Sequence, residues 1–435
     1  MPEYAFHWVD LASTGMITQA ALRRDLKIKG ADGKVRSFGT EVQGHLGLPL
    51  FFDHRQGTLM PGPVPRADYG NLLNPPREYQ VPAIEALIQT RWGVVEMTPG
   101  LGKTFCALAA ARELGEPALV VVPGQILLQQ WRQAIQTHLS LREEDIGHVQ
   151  GNPSKWTWQD KPITVAMLQS LSTHLGNEPP GFREHFGVTV FDEVHHMQGE
   201  WFSNGLYYAP RRRWGLSGTP FAGSRLDQAI LWHFGQVVYS DTHHQVPVRV
   251  EFHLQDPPSW WDETRTFDQP SQVGLNKSTE RSQRTRQLAA EWSSDAGSLL
   301  VLYPVVNYLS GLRGAFLRDT GISKDKVGLL TGRTPRNVRE PESKKPYLFA
   351  TQHFAIASEG FDKPEVDSVV VGGLCLGPRQ FFQILGRAGR GYPGKESARV
   401  AFIVEAIDVV EMLAQRRAEE AREKGIEVVW VDHRS

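Results

Sequence analysis

Two stretches of this chain carry residue types suited to phosphate chemistry. The first is Met97-Thr98-Pro99-Gly100-Leu101-Gly102-Lys103-Thr104, set between an apolar run and an Ala- and Leu-rich run. Glycines let a backbone curl until several N–H groups face one anion, and a following helix adds its positive end. Thr98, Pro99, Gly100, Leu101 and Gly102 would form that cradle. Lys103 is placed to reach the β- and γ-phosphates of a nucleotide, and the Thr104 hydroxyl to ligate Mg²⁺. The usual signature opens on Gly where this chain has Met97; Gly100 and Gly102 preserve the tight turn. The second stretch is the apolar Val188-Thr189-Val190-Phe191, which runs into Asp192-Glu193-Val194-His195. Two adjacent carboxylates at the end of a buried strand are costly unless something there needs negative charge. Mg²⁺ on a triphosphate supplies that need. Asp192 is expected to hold the metal through water, and Glu193 to orient or deprotonate the attacking water. His195 and His196 are adjacent and seldom could face one ion, so His195 is read as a hydrogen-bonding link to neighbouring segments.

These residues need a scaffold, and the hydrophobic pattern indicates one. Short apolar runs alternate with helical patterns from Asn74 onward: Gly93–Met97, Ala118–Val122, Ile163–Ala166, Val188–Phe191 and Trp214–Ser217. Fully apolar strands alternating with helices predict an α/β fold with a parallel sheet covered on both faces. The helix after Lys103 should stop at Leu114-Gly115. A polar, Pro-containing stretch, Asp256–Gln272, separates this series from a second one, and a basic helix is expected around Lys277–Trp292. The second series holds Ser298–Tyr303, Val327–Leu330, Tyr347–Ala350, Ser368–Val371 and Arg399–Val404. The charged segment Ala414–Lys424 reads as a solvated helix. Ahead of both series, residues 1–70 hold a helix around Thr18–Lys27 and a Pro/Gly linker, Met60–Pro65. The expected organisation is an accessory region over 1–70, one α/β domain over 71–245 and a second over 246–435, the polar stretch serving as the linker near its start.

The 435 residues suffice for two to three domains with cores of their own. Lys and Arg total 47 against 48 Asp and Glu, so the net charge is −1 and phosphate binding must use a local patch. The two cysteines, Cys106 and Cys375, have no ligand spacing, which points to reduced thiols and an intracellular, cytoplasmic setting. Neither a signal peptide nor a membrane-length apolar run is evident, so no membrane partner is expected.

Further motifs give the order of sites a family likeness. Arg77-Glu78-Tyr79-Gln80, Val122-Pro123-Gly124-Gln125, Leu168-Gln169-Ser170-Leu171, Leu216-Ser217-Gly218-Thr219-Pro220, Ser358-Glu359-Gly360-Phe361-Asp362 and Gln383-Ile384-Leu385-Gly386-Arg387-Ala388-Gly389-Arg390 flank the two stretches above. From about Arg77 to Gly391 this order resembles superfamily 2 helicases of the DExH kind. The resemblance implies two tandem RecA-like domains and use of ATP with Mg²⁺. It implies that Gln80 and Arg77 recognise the adenine. Pro123, Gly124, Gln125, Gln169, Ser170, Thr351 and Ser358 would touch a nucleic-acid strand, whereas Arg333 is a candidate from its charge alone and reads first as solvated. Ser217, Gly218 and Thr219 would couple hydrolysis to movement together with His195, and Gly360 and Asp362 would face the nucleotide. Gln383, Arg387 and Arg390 would complete the catalytic set, the arginines stabilising charge on the transferring phosphoryl group from the far side of a cleft between the domains. Thr351 lies further from Gly360 than in the common RNA-helicase branch. The Glu359-Gly360-Phe361-Asp362 wording is closer to repair-type and restriction-enzyme DNA motors.

The resulting expectation is a monomeric, ATP-driven DNA helicase or translocase acting on single-stranded, duplex or branched DNA. A DNA-stimulated ATPase that remodels duplex or branches, and an RNA helicase, share the same motifs. A non-catalytic scaffold would lack Lys103, Glu193 or Arg390. Lys277, Arg281, Arg284, Arg286, Arg336, Arg339, Lys344 and Lys345, and the run Arg211-Arg212-Arg213, are basic candidates for the strand but read first as solvated charges. Trp156 and Trp158 read first as buried rather than as base-stacking rings.

Overall fold

The computed structural model describes residues 7–10, 16–29, 34–38, 40–42, 45–49, 51–52, 64–198, 203–209, 211–221, 223–262, 264–352 and 363–434. The chain divides into two compact units, 1–242 and 243–435. The boundary therefore falls slightly before the expected one at 245/246, and the N-terminal region clusters with the first unit.

That region is a small accessory layer. Strands β1 (His7–Asp10), β5 (His45–Leu48) and β4 (Thr40–Val42) pair antiparallel, as do β2 (Lys27–Lys29) and β3 (Val35–Ser37). Helix α1 (Met16–Asp25) is the helix read over Thr18–Lys27. Leu26, Leu46, Leu48 and Phe52 form a core against Trp232, and Phe52 meets the Trp232 ring edge-on at 5.0 Å. Trp232 lies on helix α7 (Asp227–Phe234) of the main domain, so the accessory layer braces that helix. Most of the Met60–Pro65 stretch lies outside the described residues.

The main body of the first unit is a seven-stranded parallel sheet in the order β12-β6-β11-β10-β7-β9-β8. Its strands are β6 (Trp92–Met97), β7 (Ala118–Val122), β8 (Ile146–Val149), β9 (Ile163–Met167), β10 (Val188–Asp192), β11 (Arg212–Ser217) and β12 (Val237–Asp241). Helices α2 (Val81–Gln89), α3 (Lys103–Leu114), α4 (Gln125–His138), α5 (Leu168–Thr173), α6 (Phe182–His185) and α7 punctuate it. Successive side chains of a strand point to opposite faces. Accordingly Val120 and Val122 enter one core with Trp131 and Leu108, while Leu119 and Val121 enter another with Phe182 and Trp156. Gly115 caps α3 at φ +61°, the left-handed conformation that suits Gly.

The second unit repeats the architecture without repeating the sequence. Its sheet is parallel in the order β15-β16-β14-β17-β18-β13-β19. The strands are β13 (Val248–Gln255), β14 (Leu299–Tyr303), β15 (Val327–Leu330), β16 (Tyr347–Thr351), β17 (Ser368–Val371), β18 (Ala398–Glu405) and β19 (Glu427–Asp432). Its helices are α8 (Gln269–Leu275), α9 (Thr279–Trp292), α10 (Val306–Thr320), α11 (Arg336–Ser343), α12 (Pro378–Ala388) and α13 (Asp408–Glu423). Leu300 and Leu302 face one core, Leu299 and Val301 the other.

Four expectations are corrected here. The polar stretch Asp256–Gln272 does not separate the two series, because β13 precedes it in the second sheet and pairs with β18 and β19; its Trp260, Trp261 and Phe267 pack on the core. The Ala414–Lys424 segment is not a freely solvated helix. It belongs to α13, whose Val410, Ala414, Ala418 and Ala421 recur at helical spacing and are buried. Arg281 is not a solvated charge either. It is fully buried, its Nε donating to Glu405 Oε1 at 2.7 Å and its Nη groups to the carbonyls of Gly372 and Ile403. Arg213 is buried likewise and donates to the carbonyls of Leu206, Ala209 and His233. Trp156 and Trp158 sit in the aromatic core around Phe182, as expected. Both cysteines are buried, and burial pushes each thiol up to about 12. Among the described residues no helix is long and apolar enough to cross a membrane.

Candidate nucleotide and nucleic-acid site

Three neighbouring strands, β6, β11 and β10, end side by side in Met97, Ser217 and Asp192. Crevices at the carboxyl ends of parallel strands are where open α/β sheets bind ligands. The loop from Thr98 to Gly102 leaves β6 there. Thr98 N donates to Asp241 O at 3.0 Å and Leu101 N to Thr98 O at 3.2 Å, which curls the loop back on itself. Gly100 and Gly102 adopt φ +99° and +90°, a region that favours glycine. Met97 stands where the usual signature has Gly because it is still the last, fully buried residue of an extended strand. Lys103 and Thr104 open α3, and the Lys103 ammonium donates to Met97 O at 2.9 Å.

The loop is held from two sides. Gln80 is buried; its Nε2 donates to Leu101 O at 2.9 Å and its Oε1 accepts from Arg77 N at 2.9 Å. Its amide thus braces the Thr98–Gly102 loop, and the Arg77 guanidinium donates to the Tyr79 hydroxyl. Gly218 packs so closely on the loop that a Cβ there would stand 3.0 Å from Pro99 Cδ.

The acidic pair sits beside this loop. Asp192 is buried, its Oδ2 accepting from Trp131 Nε1 at 2.7 Å and its Oδ1 from Glu193 N at 2.9 Å. Glu193 holds φ +48°, strained backbone for a non-glycine residue. Burial, followed by the neighbouring Glu193 charge, raises the Asp192 carboxyl well above the carboxylate range. Burial works to raise Glu193 too, but the His195 hydrogen bond and the positive charges of His195 and Lys103 outweigh it and hold that carboxyl low. His195 Nδ1 lies 3.3 Å from Glu193 Oε2 and 3.1 Å from Ser217 Oγ, which also accepts from Thr219 N at 3.1 Å. A polar chain therefore runs from Glu193 through His195 to Ser217 and Thr219.

These residues fit a magnesium nucleoside triphosphate. Helix α3 has no side-chain cap at Gly102, whose carbonyl accepts from Cys106 N. The N–H groups of its first turn are thereby suited to an anion. Two carboxylates that raise each other's energy suit a divalent cation.

A second ridge follows the next strand ends, those of β7, β9 and β8. Gln169 Nε2 donates to Pro123 O at 2.6 Å, Gln150 Nε2 to Gln125 Oε1 at 2.6 Å, and Gly151 N to Ser170 Oγ at 2.9 Å. The structure thus gathers Pro123, Gly124, Gln125, Gln169 and Ser170, and adds Gln150 and Gly151. Those two follow β8, a short Ile-Gly-His-Val strand with too little apolar sequence to be recognised.

In the second unit, Thr351 ends β16, beside the end of β15, and is buried. Exposed Arg333 follows β15, its N–H donating to Thr331 Oγ1. Gln383 and Arg387 lie one helical turn apart on α12, half-buried, while Phe381, Ile384, Leu385 and Ala388 face the core. Arg390 lies just past the helix end. Its loop is tied to the residues that open this unit: Gln245 N and Val246 N donate to Gly389 O, and Gly391 N donates to Gln245 Oε1 at 2.7 Å. A Cβ at Gly389 would stand 2.2 Å from the His244 ring, so only glycine admits this contact. Ser358, Gly360 and Asp362 lie outside the described residues. Of the other basic candidates, Arg286 pairs with Asp319, Lys344 with Glu340 and Lys345 with Glu342.

The fold is that of two RecA-like α/β domains, the first carrying the Thr98–Gly102 loop and the acidic pair at its carboxyl edge. Residues 74–222 match the family described as type III restriction enzyme, res subunit. A putative DNA 3'-5' helicase Rad25 from Haloarcula marismortui is 26% identical over 368 residues, covering 81% of this chain and 56% of that protein. A DNA 3'-5' translocase XPB2 from Sulfurisphaera tokodaii is 32% identical over 148 residues, 33% of this chain and 30% of that one. Among solved structures, the fragment of a putative HsdR subunit of a type I restriction enzyme from Vibrio vulnificus has the same fold. Its TM-score is 0.62 at 17% identity, covering 84% of this chain and 70% of that one. The chain resembles superfamily 2 helicases of the repair and restriction kind. It spans little more than half the length of the Haloarcula protein it matches.

Proposed function

We propose that this chain is a monomeric, intracellular motor that hydrolyses ATP to move along, or separate the strands of, DNA. The observation that carries the reading is the side-by-side placement of two ridges on one sheet edge. Lys103, Asp192, Glu193 and the His195–Ser217 link occupy the ends of β6, β11 and β10, and Pro123 to Gln125 with Gln169 and Ser170 occupy the ends of β7 and β9. Nucleotide chemistry and a strand grip thereby share one rigid scaffold.

In this reading Lys103 and the α3 N-terminus hold the β- and γ-phosphates. Thr104 and Asp192 would ligate Mg²⁺, which neutralises charge on those phosphates. Glu193, kept ionised by His195, takes the proton of the attacking water. Arg387 and Arg390 supply fixed positive charge to the transferring phosphoryl group, since a guanidinium keeps its charge and matches phosphate oxygens. His195 joins Glu193 to Ser217, so loss of the γ-phosphate is felt in the Ser217-Gly218-Thr219 segment that packs on the loop. The strand ridge offers amides and hydroxyls rather than base-reading forks, which suits sequence-blind binding to phosphate and sugar. The named relatives support DNA as the strand.

The test is ATP turnover measured with single-stranded, duplex, forked and four-way DNA and with RNA, beside strand displacement on the same substrates. Turnover should rise with DNA. A rate indifferent to every nucleic acid would remove the motor reading, and stimulation by RNA alone would reassign the substrate. Displacement of forks separates a helicase from a translocase that remodels duplex.

A further inference from the structure

Trp131 links the two ridges, by a hydrogen bond to Asp192 of the first and through its own helix to Gln125 of the second. Its indole is 2% exposed, and its single donor, Nε1–H, points at Asp192 Oδ2 at 2.7 Å. The same helix, α4, begins at Gln125. From Gln125 to Trp131 is about 9 Å along the axis at 1.5 Å per residue, within one hydrogen-bonded rod whose first bond runs from Leu128 N to Gly124 O. The N-terminal end of that rod is the strand ridge itself, Gln169 holding Pro123 O and Gln150 holding the Gln125 side chain. Past Trp131 the rod is tied down again, with Arg132 Nε donating to Glu143 Oε1 at 2.8 Å. A helix held at its first residues and again just past its middle, and carrying a buried donor on a carboxylate, cannot shift without moving that donor.

We propose that Trp131 is a positioning residue that reports occupancy of the strand ridge to Asp192, so that DNA tunes how well the acidic pair holds the divalent ion of the nucleotide. The inference deepens the proposed function and rests on it. Docking of a strand at Pro123–Gln125 displaces α4, and the indole N–H turns the Asp192 carboxylate toward or away from the ion's position. Coupling between two binding sites is reciprocal. If DNA tightens the ion–nucleotide complex by some factor, that complex tightens DNA by the same factor, and both effects run through Trp131.

The experiment measures Mn²⁺ binding by electron paramagnetic resonance in the presence of ADP, with and without a single-stranded oligonucleotide, for the wild-type chain, Trp131→Phe and Trp214→Phe. Trp214 is equally buried in the same domain, but its indole faces Thr90 O, so its variant loses similar volume away from Asp192. In the wild type the oligonucleotide should change Mn²⁺ affinity. Trp131→Phe should weaken Mn²⁺ about tenfold, the loss of a hydrogen bond to a charged group, and should make the affinity indifferent to DNA. Trp214→Phe should keep the DNA effect. Equal DNA coupling in Trp131→Phe and wild type overturns the proposal while leaving the motor reading intact. A wild type whose ATP turnover ignores DNA overturns the motor reading instead. Should Trp131→Phe fail to fold, the wild-type chain with ¹⁵N-labelled indoles decides. The indole N–H broadened by Mn²⁺–ADP must shift when oligonucleotide is added alone, and an unmoved resonance overturns the proposal.

Discussion

Replacing Gly102 by alanine should weaken ATP binding about a hundredfold, and the size of the loss follows from two contacts. Gly102 holds φ +90°, which costs a residue with a Cβ about 1–2 kcal/mol. The new methyl carbon would also stand 2.4 Å from Gln80 Nε2, so Gln80 must move. Moving it breaks the 2.9 Å bonds to Leu101 O and from Arg77 N, each worth about 1 kcal/mol net. The sum is about 3 kcal/mol, or about a hundredfold in affinity if it falls on the loop shape that binds phosphate. Gln80→Ala alone removes only the two bonds, about 2 kcal/mol. The double variant should be no worse than Gly102→Ala, because the clash and the bonds involve the same amide, giving a coupling energy of about 2 kcal/mol. The assay is titration with a fluorescent ATP analogue for all four members of the cycle, with melting temperatures alongside. Strictly additive effects, or wild-type affinity in Gly102→Ala, would refute the view that Gln80 braces the loop.

Other substitutions test the remaining assignments. Lys103→Ala should abolish ATP turnover and binding together, whereas Glu193→Gln should abolish turnover and still bind ATP; normal hydrolysis by Glu193→Gln would end its role as base. Arg390→Ala should lower kcat far more than it raises KM for ATP, and an unchanged kcat would remove it from the phosphoryl-transfer machinery. Arg281→Met should destabilise the second unit by about 3–5 kcal/mol in urea unfolding by leaving Glu405 buried and unpaired. Adding Glu405→Leu should recover much of that loss, and no recovery would show that the guanidinium's bonds to Gly372 and Ile403 dominate.

Much of the site was readable because its chemistry constrains residue type. Lys103, the glycines at positive φ and the adjacent carboxylates each have few substitutes, and each fell at the end of an apolar strand. Strands whose burial is total, such as Ala118–Val122, were legible for the same reason. Strands β8, β12, β13 and β19 were not, three of them at a sheet edge, although the edge strand β15 was. Val248–Gln255 opens Val-Arg-Val-Glu because Arg249 and Glu251 share the face opposite Val248 and Val250 and stay partly exposed, and so it merged with the polar sequence after it. Glu427–Asp432 is half-exposed at the sheet edge and carries a charge at each end. Charge identity misled at Arg281, where a carboxylate 124 residues away supplies the partner. Only the fold could bring those two together. The Trp131 bond to Asp192 was hidden too, since a tryptophan on an apolar helix face gives no sign of where its N–H points.

The left-handed backbone at Glu193 has a consequence for anyone evolving this chain. Asparagine accepts such a conformation with less strain than glutamate does, and it would also end the repulsion with Asp192. Glu193→Asn should therefore melt at a higher temperature than the parent while hydrolysing no ATP. A library ranked by heat resistance alone would enrich dead motors at this position, so any such campaign must score turnover from its first round.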